Sequence, residues 1–323
     1  MSEEKRIGTK EELKAEARRF GFSSCGVAVA EEVDADTQSR FSSWLESGNN
    51  ASMSYMERNT DKRLDPRLLL PSAKSVIVVA LNYYPGHLLA SDQYQFAYYA
   101  YGKDYHDVMR TRMSDFAHSL GIRDVRDKKS SADDYGFEGL VCCDTVPMLD
   151  RYWAWKSGIG WIGKNTSLII PGSGSFFFIG EIITEMEFLD YDSPVKSHCG
   201  KCSRCINACP TGALCEPYIL DAHKCLSFLT IENRDSLPEG LSSKMGNCIY
   251  GCDRCQLACP HNSFVKPTEV TEFVPSDEFL SMQVADWQQL TQEDYQTLFK
   301  DSAVKRAKYE GLKRNIDELT RIK

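Results

Sequence analysis

Ten of the chain's 13 cysteines fall between positions 199 and 259, and their spacing defines the chemistry. Cys199, Cys202, Cys205 and Cys209-Pro210 form C-x2-C-x2-C-x3-C-P. Three thiolates this close can wrap three corners of one cubane, while the fourth, turned away by its proline, points to a second cubane. A later block, Cys252, Cys255 and Cys259-Pro260, repeats C-x2-C-x3-C-P, with isoleucine at 249 where one more cysteine would keep the period. The crossing rule gives Cys259 to the cluster of Cys199, Cys202 and Cys205, and joins Cys209 to Cys252 and Cys255. One ligand of that second set is missing, and Cys215, Cys225 and Cys248 compete for the place. Zinc sites with four cysteines also use C-x2-C pairs, but consecutive x2 spacings and two C-P endings fit two [4Fe-4S] clusters better. In a reducing compartment such a group of thiols reads as metal-binding, not disulfide-forming.

Other residues offer acid, base or ligand chemistry with weaker signals. Asp104-Tyr105-His106 opens like the D-x-H-x-x-G signature in which histidine ligates a corrinoid cobalt, but Met109 stands where the glycine belongs. His106 therefore reads equally as a packed histidine or as a member of an acid–base set. Asp144, in Cys142-Cys143-Asp144-Thr145-Val146-Pro147, closes an apolar stretch and suits a strand-end cap or a catalyst. Arg63 is by default a surface cation. Gly158-Ile-Gly160-Trp-Ile-Gly163-Lys164-Asn165 matches G-x-G-x-x-G and approaches a phosphate-binding loop. The residues before it (150–157) look helical where a dinucleotide fingerprint needs a strand, and Asn165 replaces the required Ser or Thr. A glycine-rich turn that lets backbone approach a large ligand fits better, with Lys164 as a phosphate or amide partner.

The elements that must carry these groups follow from periodicity. Residues 10–20 have helical spacing and end at Gly21. Residues 74–83 read as a buried strand, and 167–171 with 175–184, around Gly172-Ser-Gly174, read as a β-hairpin. Asp190 to Pro194 is the expected junction. The fold class is thus α+β: a mixed α/β domain over 1–190, a bacterial ferredoxin-like domain with two [4Fe-4S] clusters over 191–265, and a helical segment over 266–323. With 323 residues, 42% hydrophobic and 26% charged, and a net charge of −8, the composition is globular. The longest apolar run, 75–84, is far below the ~20 residues of a membrane helix, and Met1 to Arg6 lack the apolar stretch of a secretory signal. A soluble, cytoplasmic protein with no membrane partner is expected. Residues 300–323 carry a net +4, leaving −12 on the rest; this basic helical tail suits either phosphate contact or a solvated mixed-charge face.

Taken in order, Lys62-Arg63-x-x-Pro66, Gly102-Lys-Asp-Tyr-His106, Asp144-Thr145, Gly158 to Asn165, the first cysteine block with Pro210-Thr-Gly-Ala-Leu214, Cys225 to Thr230, and Tyr250-Gly-Cys-Asp-Arg-Cys-Gln256 resemble the epoxyqueuosine reductase family along almost the whole chain. The resemblance implies reduction of epoxyqueuosine to queuosine at the wobble position of tRNA anticodons. It implies cobalamin, held base-off, in a domain distantly related to that of reductive dehalogenases, beside two [4Fe-4S] clusters. It selects Cys225 as the eighth ligand and leaves Cys215 and Cys248 as ordinary thiols. Asp144 matches the family's proton donor, Asp104 and His106 would line the substrate pocket, and Arg63, Lys164 and Asp253 fall in segments around the corrinoid. Electrons from an unidentified low-potential donor would pass through the clusters to cobalamin.

A donor role at neutral pH would require the Asp144 carboxyl to be raised by burial or neighbouring negative charge. The partner implied is the anticodon stem-loop, bound by a monomer. Many family members continue into helical repeats, of which residues 299–319 resemble only the beginning, so the tail and the cluster domain would hold most of the stem-loop. The alternatives are a dehalogenase-like corrinoid reductase of a small molecule, a non-catalytic iron-sulfur electron carrier, and an RNA-binding protein with structural clusters.

Overall fold

The amino-terminal helix Lys10–Arg19 starts where Thr9 and Glu12 exchange side-chain and backbone hydrogen bonds in a capping box. It stops before Gly21, whose φ of 81° favours glycine. The structure, a computed structural model, describes residues 8–128, 131 and 134–321. Met1 to Arg6, and Ile322 and Lys323 of the tail, lie outside the described residues.

Ser75–Asn82 (SVIVVALN) is a strand, buried along nearly all its length. It joins a five-stranded sheet in the order Ser24–Val29, Ser75–Asn82, Phe177–Thr184, Phe137–Cys142, Ile122–Asp124. The pairs are antiparallel except the last. Helices Lys10–Arg19 and Tyr105–Ser119 cover one face through Leu13, Met109, Met113 and Phe116. Helix Asp150–Lys156 covers the other through Tyr152, Trp153 and Ala154. Coverage on both faces is why Ser75–Asn82 reads as a continuous apolar run. Each buried aliphatic side chain there contributes roughly 1.5–3 kcal/mol.

The expected hairpin over 167–184 is not formed. The turn exists, with Ile170 and Gly174 paired, but its arms separate: Leu168–Ile169 pairs with Trp161–Ile162, while Phe177–Thr184 enters the large sheet. The sheet's core offers the second arm more apolar partners than the first arm does.

A second core unites Tyr94, Phe96 and Tyr101 with Leu226 and Tyr250 of the cluster segment and Trp287, Phe299 and Ile316 of the carboxy-terminal segment. Strand Cys248–Tyr250 also pairs in parallel with Gln95–Phe96. The basic tail is correspondingly not free: helix Lys308–Thr320 buries Leu312, Asn315, Ile316 and Leu319, and Asn315 donates to the Thr230 and Ile249 carbonyls at 2.8 and 2.9 Å.

Candidate active site and cluster sites

Asp104 caps helix Tyr105–Ser119, its Oδ1 accepting the His106 N–H at 3.0 Å. The same oxygen lies 2.7 Å from His106 Nδ1. On its other side, His106 Nε2 lies 3.2 Å from Asp144 Oδ2, and the Tyr105 hydroxyl donates to that oxygen at 2.6 Å. Tyr105 is held flat on Phe178, 4.4 Å between centroids and 4° between planes, and on the His106 ring at 4.1 Å. Asp144 stands two residues past strand Phe137–Cys142 with φ at 55°, a left-handed turn. The structure thus joins Asp104, His106 and Asp144 and adds Tyr105. Sequence reasoning missed Tyr105, although its place between the two named residues marked it.

The charges distribute differently from the expectation for a carboxylic acid donor. Asp144 is held below the usual carboxylate range, first by its hydrogen bond to His106 and then by Tyr105, against the effect of burial. His106 is pushed up to about 9, chiefly by Asp104 and next by Asp144. Burial acts to raise Asp104, but its hydrogen bonds to the His106 side chain and backbone outweigh that and leave it low. At neutral pH the site's proton therefore rests on the imidazole between two carboxylates.

Arg63, on helix Thr60–Leu64, turns inward. It donates to the Tyr55 carbonyl at 2.9 Å and to the Met148 carbonyl, in the loop after Asp144, at 3.4 Å. Its Nε is buried with no acceptor among the described residues, as are Trp153 Nε1, Trp161 Nε1 and Asn165 Nδ2. Buried donors without acceptors need an explanation. A corrinoid, rimmed with amide carbonyls and carrying a phosphate, is chemically suited to take them.

The glycine-rich segment is shaped by the protein itself. A Cβ at Gly160 would meet the Ile169 carbonyl, one at Gly158 the Ser193 carbonyl at 2.9 Å, and one at Gly163 the Asn165 side chain at 2.6 Å. These three glycines are thus each required by close approach of neighbouring protein atoms. Lys164 points to the first cysteine loop and donates to the carbonyls of Gly200 and Cys202 at 2.7 and 2.9 Å. Asp253 is buried, which pushes its carboxyl up to about 6. It accepts from Tyr98 N at 2.7 Å and Gln256 Nε2 at 3.2 Å, tying the cluster helix Arg254–Leu257 to the turn Tyr98–Ala100.

Cys199, Cys202, Cys205 and Cys259 line one cleft, with Lys164, His198 and His261 on its wall. Trp161 packs against both histidines at 5.0 and 4.9 Å. Cys209, Cys225, Cys252 and Cys255 form the other set, each close enough to act electrostatically on its neighbours. Of the three cysteines that compete for the open place of the second set, Cys225 is the one that lies beside Cys209 and Cys252. Cys215 is exposed and turned to the Gly212 and Ala213 carbonyls. Cys248 is buried, its thiol on the Gly251 carbonyl at 2.7 Å and beside Cys252. Among the described residues no three His, Cys, Asp or Glu side chains converge on a single ion.

Residues 63–145 match the family model described as Epoxyqueuosine reductase QueG, DUF1730. Residues 198–262 match a 4Fe-4S double cluster binding domain. The chain is 43% identical to the epoxyqueuosine reductase of Cellulophaga algicola, over 97% of this chain and 100% of that protein. It is likewise 43% identical to that of Leadbetterella byssophila, over 94% of this chain and 96% of the relative. Among solved structures it superposes on epoxyqueuosine reductase with a tRNA-Tyr epoxyqueuosine-modified tRNA stem loop, with a TM-score of 0.84 and 31% identity, covering 96% of this chain and 80% of that one.

Proposed function

The chain belongs to the epoxyqueuosine reductase family, an oxidoreductase that converts epoxyqueuosine to queuosine in tRNA, and we propose that its acid is Asp144, supplied with a proton by His106. Overall, the epoxide takes up two electrons and two protons and its oxygen departs as water. The observation that carries the reading is the Asp104–His106–Asp144 line, with Tyr105 on the same Asp144 oxygen. As negative charge develops on the departing oxygen, the proton held by His106 crosses the 3.2 Å to Asp144, which delivers it to that oxygen. Asp104 keeps His106 charged, and Tyr105 fixes the carboxylate's direction.

Cobalamin would supply low-potential metal-centred reduction when bound, and Arg63 Nε, a buried donor with no acceptor among the described residues, beside the loop that carries Asp144, is a candidate to hold it. The double cluster binding domain would hold two [4Fe-4S] clusters, one on each cysteine quartet, which would supply the electrons. The second quartet adjoins the active side through Asp253 and the turn Tyr98–Ala100, which leads to Asp104. The first faces outward. Around it, residues 193–206 and 254–268 contain no acidic side chain; Lys196, Lys201 and Arg204 are exposed, as are Leu257 and Phe264. An acidic one-electron carrier protein of low potential matches that face.

The substrate element is the anticodon stem-loop. Among the described residues no helix is long and apolar enough to cross a membrane. The same reading places the enzyme in the cytoplasm with its tRNA and lets a monomer suffice, since one chain supplies both quartets and the acid set. The deciding experiment is anaerobic turnover of tRNA containing epoxyqueuosine, with cobalamin and a strong reductant, read by nucleoside mass spectrometry. Cobalamin-dependent loss of one oxygen is expected from the wild type. Asp144→Asn is expected to keep clusters and cobalamin and lose turnover; a wild-type rate would remove Asp144 from the role.

A further inference from the structure

Glu181 lies in the middle strand of the large sheet with 0% exposure, and neither of its carboxyl oxygens receives a hydrogen bond from a donor among the described residues. A bare carboxylate in such a place is very costly, so the group is either paired or protonated. The carboxyl of Asp150 lies beside it, near enough for the two groups to act strongly on each other. Two carboxyl groups can bond only through a proton that one of them keeps.

The position of the pair ties it to the catalytic loop. Glu181 stands opposite Cys142 in the sheet register, and Cys142 is the last residue of its strand. Asp150 is the first residue of the next helix. The intervening loop, residues 143–149, carries Asp144, so both of its ends meet at the same two carboxyl groups. We propose that Glu181 and Asp150 share a proton that clasps the base of this loop, which makes them positioning residues for Asp144.

The surroundings favour a single retained proton. Burial raises Glu181 well above the usual carboxyl range, with the charge of Asp150 adding to it. Asp150 reaches about 6, again through burial first and then the charge of Asp144. Facing the pair are Asp144 from the loop, Arg151 from the helix, Arg63 from helix Thr60–Leu64, and the thiols of Cys142 and Cys143. Both thiols are pushed up by burial and stay neutral. Near neutrality Glu181 thus holds the proton and donates to an ionised Asp150. Alkaline solution removes that proton, sets two carboxylates against each other, and opens the loop at its base.

The proposal rests on Asp144 being the acid only for its catalytic consequence, so its test is structural and needs no substrate. Infrared difference spectra and amide hydrogen exchange are recorded on the cluster-loaded enzyme at pH 7 and pH 9. At pH 7 the wild type is expected to show a protonated-carboxyl C=O band that Glu181→Gln lacks. Exchange at residues 143–149, corrected for its intrinsic pH dependence, is expected to rise about tenfold by pH 9 in the wild type. The rise should be clearly smaller in Glu181→Gln, whose amide donates to Asp150 without titrating, leaving only the part that follows loss of the His106 proton beside Asp144. Should Glu181→Gln fail to fold, Asp150→Asn, at the partly exposed end of the pair, is expected to reduce the pH-dependent opening to the same extent. Absence of the band, or the same pH-dependent exchange in wild type and variants, overturns the clasp. Turnover of Asp144→Asn decides the acid assignment separately.

Discussion

His106 Nε2 stands 3.2 Å from Asp144 Oδ2, while the opposite ring nitrogen is 2.7 Å from Asp104. The imidazole is thereby pushed up to about 9, first by Asp104 and then by Asp144. Because the folded-state value is raised, the set holds its proton through neutrality and loses it as pH rises through about 9. The associated stability follows the same sign: it is fully present below the ordinary histidine value of about 6.5 and lost across the window up to the raised one. Turnover of the wild type is expected to fall on that alkaline limb. In His106→Gln the histidine limb should vanish and the rate should drop by about 10²–10⁴-fold. A pH profile of single-turnover rates with saturating reductant checks both.

Asp104 has two separable jobs, as helix cap and as the charge behind His106. Asp104→Asn keeps a good capping side chain and removes the charge, so melting should change little while the alkaline limb moves to lower pH. Asp104→Ala loses both, adding about 1 kcal/mol of destabilisation from the missing cap. Thermal melts beside pH profiles of the two variants distinguish the jobs. Equal limbs in Asn variant and wild type would mean that Asp104 does not set the histidine's charge.

Cys225 sits with Cys209, Cys252 and Cys255, whereas Cys215 and Cys248 bond to backbone carbonyls. Cys225→Ser is expected to halve the iron and acid-labile sulfide, retaining the first cluster's spectrum and losing turnover. Cys215→Ser should retain full iron content. Analysis after anaerobic reconstitution, with electron paramagnetic resonance of the reduced protein, reads the difference.

The cysteine blocks could be read without a fold because cubane geometry acts over a few residues, and seven of the eight cluster assignments came from spacing alone. The eighth was a tertiary matter that spacing left among three cysteines; resemblance chose Cys225, which lies beside Cys209 and Cys252. Strand Ser75–Asn82 and helix Lys10–Arg19 were readable from apolar pattern and caps. The hairpin at 167–184 was misread because a local turn signal says nothing about which distant strand competes for the arm. The close approaches of the glycine run to Ile169 and Ser193 were likewise hidden, because both partners lie outside the motif. The direction of the Asp144 shift was beyond sequence altogether, since it depends on a histidine 38 residues away.

Lys164 provides a prediction at the first cluster. Its ammonium holds the carbonyls of Gly200 and Cys202, which brace the loop bearing Cys199 and Cys202. Lys164→Met keeps the chain's bulk and removes both bonds. The first cluster should then be lost several times faster on air exposure, while the second keeps its wild-type lifetime. Bleaching kinetics monitored by visible absorbance and paramagnetic resonance test this; unchanged loss of the first cluster would show that the lysine does not brace it.

The tail's cations divide into structural and available ones, which makes the tRNA contact testable by salt. Arg314 donates to the carbonyls of Leu229, Asn233 and Asp235 at 2.9, 2.8 and 2.7 Å. Arg306 is forked onto Glu232 at 2.7 and 2.8 Å. Removing the Arg314 head leaves partly buried carbonyls unpaired, so Arg314→Ala is expected to cost about 2–3 kcal/mol of stability. It should lower the melting temperature without altering the salt slope of stem-loop binding. Lys300 and Lys308 have exposed side chains. If the tail lies along the phosphate backbone, replacing either with Ala should weaken binding and reduce the slope of log Kd against log salt by about 1. Binding of a modified stem-loop, titrated at several salt concentrations, decides between them. Unchanged slopes in both lysine variants would remove the tail from the tRNA interface and leave the stem-loop to the cluster segment and the catalytic face.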